Sequence, residues 1–307
     1  MSFVQNMSTR AKVLWGFVIV WIGGTIVFAI AYGITSHKAA SIVSGQFSPI
    51  DEFKLDTWFK IGPIAINKGV LFILLAAGLT IGVMGWVARK MQMRPNRVQA
   101  AVEWLYDFTR QMTSENMDDP LARKYFPLIA TLFVFILVTN LIGYIPLPLE
   151  SSNTFNLFGV HVPAFQIYAA DTNVAFPLIL AAMVFLLFNY EGVRHYGPTG
   201  YVKSLIPGGV GGAILPLIVV IEILSVFLRL LSLTIRLWAN LLAGHLLIAF
   251  MGGELGVLVG LPFISWFLLP LGVLIFVFEA TLIAGLQAFI FAILTAIYIG
   301  DSVQGHN

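Results

Sequence analysis

An all-α polytopic membrane protein is the fold class this sequence predicts, and three observations carry the prediction. The chain is 59% hydrophobic and only 10% charged, whereas a soluble domain carries about 25% charged residues. Its apolar residues run unbroken over lengths that span a bilayer as helix. They do not alternate in short segments, which argues against a β-barrel and for helices that pair their own backbone groups. The chain has no cysteine, so disulfides, thiolate metal sites and cysteine nucleophiles are excluded. His37, His161, His195, His245 and His306 show no metal-ligand spacing, so neither a metal nor a cofactor is expected. A formal net charge of +2 gives no electrostatic ground for a nucleic-acid partner.

About six membrane helices are expected. The first apolar run, 13–34, follows Arg10 and Lys12, and Ala29-Ile30-Ala31 mimics a signal cleavage site. The run is longer than an ordinary signal core and is read as a retained extra helix within residues 1–35. A mixed polar loop (35–67) leads to the second span, 69–88, which ends at Arg89-Lys90. In "RPNRVQAAVEWLYDFTRQMTSENM" (94–117), Val98, Ala101, Val102, Leu105, Phe108 and Met112 recur every three or four residues. That spacing predicts an amphipathic helix on the membrane surface. The third span is 125–147 and the fourth 172–193, separated by a loop at 149–170.

The last two apolar runs, 213–250 and 256–300, are divided by "GGELG" (252–256). A helix of such length reaches roughly 57 Å at 1.5 Å per residue, against a hydrocarbon core of about 30 Å. A strongly tilted or broken hairpin over 213–300 is therefore expected, with Pro216, Pro262 and Pro270 as candidate breaks.

With six crossings, Arg10, Lys12, Arg89, Lys90, Arg94, Arg97, Arg110, Arg123, Lys124, Arg194 and Lys203 share one side. Lys38, Lys54, Lys60 and Lys68 fall on the other. The positive-inside rule makes the richer side cytoplasmic and places both termini there. Only Arg229 and Arg236, of seventeen basic residues, remain inside the membrane.

A charged residue at mid-membrane costs about 2.5 kcal/mol or more and marks an ion pathway by default. Glu222, Arg229, Arg236, His245 and Glu279 all fall within the last two helices, and Glu254 in their turn. At 100° per residue Glu222, Arg229, Arg236 and Asn240 lie within about 40° of one another, with Ser232 beside them. His245, nine residues past Arg236, points about 180° away. A structural tie between Glu222 and Arg229, a packing role for His245 and a helix-clamping role for Glu279 are the plainer readings of each residue taken singly.

"LSLTIRLWANLLAGHLL" (231–247) and "LQAFIFAILTAIYIG" (286–300) resemble subunit a of F-type rotary ATP synthases. "YFPLIATLFVFILVTNLIGYIP" (125–146) and "DTNVAFPL" (171–178) are similar to that family's third and fourth segments. The resemblance covers roughly residues 60–302 and leaves the first 35 outside it. It implies a non-catalytic, ion-translocating stator that provides two half-channels to a rotating c-ring. The implied partners are the c-ring, peripheral-stalk b subunits, the rest of the complex and membrane lipid, with one copy per complex. Arg236 matches the family's essential arginine facing the ring. The outer path is expected to use His245, Glu279, Asn240, Gln287, Asp171 and Asn173, and the cytoplasmic path Glu222, Ser232 and Arg229. Two positions depart from the family pattern. Ala280 stands seven before Gln287, where an ionisable residue is common and Glu279 is one residue out of step. Gly143 stands where an acid often follows the asparagine of the third span. The implied location is a bacterial plasma membrane, with the chloroplast thylakoid as alternative. A cation/proton antiporter is the rival function, but it predicts internal repeats, and none is seen. "IPGGVGGAILP" (206–216) lacks the Lys-Ser/Thr and preceding strand of a phosphate loop.

Overall fold

The computed structural model describes residues 9–32, 57–61, 64–145, 147–157, 160–166, 170–204, 215–249 and 262–304. The "GGELG" turn with Glu254, the glycine-rich segment 206–214 and the loop 33–56 lie outside the described residues.

The elements run in the order α1 (Thr9–Tyr32), β1 (Thr57–Ile61), β2 (Ile64–Asn67), α2 (Lys68–Arg89), α3 (Arg97–Asn116) and α4 (Asp119–Gly143). There follow β3 (Leu147–Leu157), β4 (Val160–Gln166), a 3-10 turn (Ala170–Thr172), α5 (Ala175–Tyr196) and α6 (Pro198–Ser204). The chain closes with α7 (Leu215–Ala249), α8 (Pro262–Phe278), a π turn (Glu279–Ile283) and α9 (Ala284–Gln304). Five stretches are long and apolar enough to cross a membrane: Lys68–Arg89, Asp119–Gly143, Ala175–Tyr196, Leu217–Ile248 and Phe267–Val303. Within α1 the apolar stretch among the described residues is shorter, Val18–Val27. The all-α membrane class therefore holds, and the loops add what the sequence reading left out. Two antiparallel hairpins, β1–β2 and β3–β4, occupy the segments expected to be plain loops.

Helix starts follow from local chemistry. The Asn67 side chain accepts from the Val70 N–H at 3.0 Å and opens α2, and Asn96 does the same for α3 through Gln99 N–H at 2.8 Å. Pro120 occupies the first turn of α4, where a missing N–H costs nothing. Pro216 and Pro262 likewise fall in the first turns of α7 and α8. They start helices, whereas Pro270 lies inside α8.

By packing, the chain falls into two compact units. The first comprises Met1–Lys54 and Ala243–Glu279. In it α1 packs on α8. Trp21 stacks on Phe267 with centroids 5.2 Å apart and donates its indole N–H to the Phe267 carbonyl at 3.2 Å. A Trp that meets both an apolar ring and an acceptor loses little by burial, so this contact fixes where the extra helix docks.

The second unit comprises Leu55–Leu242 and Ala280–Asn307. Its α9 packs against α4, α5 and α3. Ala284, Ala288, Ala292 and Ala296 are 0% exposed, and Gly300 continues that every-fourth-residue row. Small side chains at this spacing let neighbouring backbones approach, which is how membrane helices gain dispersion energy without a hydrophobic driving force. At Gly300 the approach is closest, since a Cβ there would lie 2.5 Å from the Asn116 carbonyl oxygen. Gly300→Ala is expected to push α3 off α9 and to lower the yield of assembled complex at least several-fold, as read by detergent extraction and size-exclusion chromatography.

The amphipathic helix forms as α3, but its buried side is more polar than expected. Gln99, Thr109, Met112 and Thr113 are buried, while Val98 and Ala101 are exposed. Thr109 and Thr113 donate to carbonyls of their own helix and so pack as small apolar groups.

Candidate functional site

The α7 helix runs unbroken for 35 residues, about 50 Å at 1.5 Å per residue. Its leucine-rich sequence keeps every proline out after Pro216. Leu233, Leu237 and Leu241, four residues apart, are buried at 3%, 0% and 0%. On another face Leu217, Ile221, Leu224, Leu228 and Ser232 are all exposed, and this ridge leads directly to Arg236. The guanidinium is itself exposed. Among the described residues it has no ion-pair partner.

Of the remaining polar residues, Arg229 and Asn240 are half-buried and pair with α9. Asn240 Nδ2 donates to Gln287 Oε1 at 3.2 Å, and Gln287 is buried at 2%. Two residues before Asn240, the Trp238 indole N–H donates to the Thr172 carbonyl at 2.9 Å. That bond ties α7 to the turn that carries Asp171. Asn173 accepts from the Ala175 N–H at 3.0 Å and so heads α5. Ser232 is exposed and Glu222 half-buried on α7.

Arg229 is placed differently from the plainer reading of the sequence. Its partner is not Glu222 but Asp301, with Nη1 to Oδ2 at 3.9 Å, and the guanidinium lies over the Tyr298 ring at 5.2 Å. An arginine can hold a carboxylate and an aromatic face together because its charge is spread over a plane. Asp301 was missed, although it is the sole acid after Glu279 in the sequence. Nearby, on α6, burial pushes the Tyr201 phenol up from its ordinary value, with Arg229 working the other way. The phenol donates to Asn189 Oδ1 at 3.0 Å.

Asn140 is a second residue the sequence reading did not single out as functional. It is 0% exposed and donates through Nδ2 to the Ala284 carbonyl at 3.2 Å, at the first residue after the π turn. Its Oδ1 is buried and meets no donor among the described residues. Such an acceptor is one that a buried water satisfies.

In the first unit, His245 and Glu279 are buried, at 5% and 7% exposure. Gly244 decides where the Glu279 carboxylate sits. A Cβ on Gly244 would lie 2.2 Å from Oε1 and 2.3 Å from Oε2 of Glu279. The acid therefore occupies a niche that only glycine leaves open. Glu279 also begins the π turn, a local widening that holds one residue more than an α turn and occurs often at functional sites.

Intramembrane cations and acids set along a helix too long to stand upright in a bilayer define a multi-pass membrane protein built to handle ions. Residues 70–300 match the family model of the ATP synthase A chain. The ATP synthase subunit a of Rhodopseudomonas palustris is 34% identical over 270 residues, covering 85% of this chain and 100% of that protein. The subunit a of Rubrobacter xylanophilus is 37% identical over 240 residues, 77% of this chain and 83% of its own. That of Pelagibacter ubique is 30% identical over 271 residues, 85% and 99%. The chain belongs to the ATP synthase A chain family.

Proposed function

We propose that this chain is the ion-translocating stator of an F-type ATP synthase, a non-catalytic subunit that carries protons to and from a rotating c-ring. The observation that supports it best is the exposed Arg236 at the end of an apolar ridge of α7. An exposed apolar ridge with a fixed cation suits a moving partner whose carboxylates must pass through lipid. Each ring carboxylate crosses lipid protonated, because an unpaired buried charge is costly. Beside Arg236 its ionised form becomes tolerable, since a fixed cation lowers its pKa. The proton therefore leaves on one side of the arginine and another is taken up on the other side. A membrane field of 100 mV supplies about 2.3 kcal/mol per charge to bias the rotation.

The match to the ATP synthase A chain family supports assigning the remaining polar groups to two half-channels. His245, Glu279, Asn240, Gln287, Asp171 and Asn173 are assigned to the outer path, with Asn140 Oδ1 as an added acceptor for water. Glu222, Ser232 and Arg229 are assigned to the cytoplasmic path, with Asp301 at its mouth. The partners are the c-ring and the b subunits of the peripheral stalk, in a bacterial plasma membrane with both termini cytoplasmic. A family match over residues 70–300 leaves the antiporter reading without support.

A thiol at position 222 tests the arrangement, because the chain has no native cysteine. Glu222→Cys is expected to react with a membrane-impermeant maleimide added from the cytoplasmic side and not from the outside. Labelling from the outside alone would reverse the topology and the channel assignment together.

A further inference from the structure

We propose that the groove between α4 and α5 at their basic end is a binding site for one anionic phospholipid, with an acyl chain in the groove and the phosphate on Lys124 and Arg194. The groove has a volume of about 350 Å³ and is lined by Leu128, Met183, Val184, Leu186, Leu187 and Tyr190. Leu186 and Tyr190 are 67% and 61% exposed, so it opens outward from the chain.

Helical spacing puts two cations at one end of this groove. Lys124 lies four residues before Leu128, and Arg194 four residues after Tyr190, so each crowns its own wall by one turn. Between them stands Glu191, buried at 6%. It accepts from the Lys124 ammonium and the Tyr125 hydroxyl, and lies 3.7 Å from Arg194 Nη1. The carboxylate fixes both side chains and cancels one of their two charges, leaving the cluster at +1. Arg194 remains 61% exposed and Lys124 45%, with Arg123 and His195 exposed beside them. The Tyr190 phenol at the rim adds a hydrogen-bonding group at interfacial depth.

A phospholipid fits this arrangement better than a partner's helix. An apolar helix laid over the groove would bury Lys124 and Arg194 against hydrocarbon, with only Glu191 to offset them. A phosphate satisfies the exposed guanidinium directly, with parallel N–H bonds to two oxygens. Basic pockets between membrane helices, on the side facing the anionic leaflet, take lipid headgroups for this reason.

The test uses the assembled complex in vesicles. Ile179, 68% exposed, lies four residues before Met183 on the same ridge of α5. A bimane fluorophore on Ile179→Cys reports nearby brominated acyl chains by quenching, read against the complex without that cysteine. The vesicles are phosphatidylcholine containing either brominated phosphatidylglycerol or the same fraction of brominated phosphatidylcholine. Quenching by the anionic lipid is expected at about fivefold lower concentration, the equivalent of about 1 kcal/mol for one basic residue. Arg194→Gln should remove this preference and Arg194→Lys should retain most of it, while ATP-driven proton pumping verifies assembly. Equal quenching by both lipids in the parent complex would overturn the proposal. So would quenching by neither, which would mean that a partner's helix covers the groove.

Discussion

Arg236→Ala is expected to leave the complex assembled and to abolish proton-driven ATP synthesis. Alanine is easily accommodated on an exposed ridge, so the folded chain loses little. The chemistry loses much more. Two unit charges about 4 Å apart interact by roughly 4 kcal/mol at an effective dielectric of 20, which is about three pKa units on a ring carboxylate. Without that term the carboxylate holds its proton as it passes α7, and the exchange between the half-channels stops. The same fixed charge repels protons moving directly between the two paths, so passive leak through the membrane sector should persist or rise. Arg236→Lys should rescue poorly, because a lysine loses its proton far more readily in a low-dielectric setting. Arg229→Ala should cost only part of the activity, since its Asp301 partner is 43% exposed and water can reach it. The measurements are ATP synthesis driven by an imposed proton gradient and dye-detected proton leak in the same vesicles. Wild-type synthesis by Arg236→Ala membranes would refute the stator reading as a whole.

Gly244→Ala carries the second large effect. The added methyl would stand 2.2–2.4 Å from the carboxylate atoms of Glu279, so the acid must leave its niche. The colliding atoms are the end of a flexible side chain, and the backbone of α7 is expected to fold as before. Proton transfer depends steeply on position, and a displacement of about 1 Å in a positioned site costs of the order of 100-fold. ATP-driven proton pumping should therefore fall by at least about tenfold while c-ring retention is unchanged. Glu279→Gln in the Gly244→Ala background should add little, because the niche is already empty of its acid. If Gly244→Ala pumped normally and Glu279→Gln did not, the carboxylate would be needed but its place beside Gly244 would not.

What could be read in the sequence, and what could not, divides by the range of the forces involved. The spans, the intramembrane charges and the unusual length of α7 follow from composition and local periodicity, and Arg236 stands out because an arginine within an apolar run is costly. The hairpin β1–β2 had a local signal that went unused: Trp58, Phe59, Ile61, Ile64 and Ile66 flank Gly62-Pro63. Contacts between distant positions left no such trace. Periodicity places Glu222 and Arg229 on one face of α7, but it cannot reveal that Asp301, at the far end of another helix, takes Arg229 instead. Nor does any pattern announce that Gly244 makes room for Glu279, or that Asn140 reaches the Ala284 carbonyl.

The π turn explains one more oddity, the one-residue misstep between Glu279 and Gln287. On an uninterrupted helix eight residues leave two side chains about 80° apart, and one extra residue absorbed in a widened turn takes back about 100°. Helix length and helix phase are thereby uncoupled at a single place. A chain that gained or lost a residue in Glu279–Ile283 could change its count without twisting α9, whose alanine row tolerates no rotation against α4 and α5. The turn, which Glu279 opens, thus lets the residue count vary while the alanine row of α9 keeps its register.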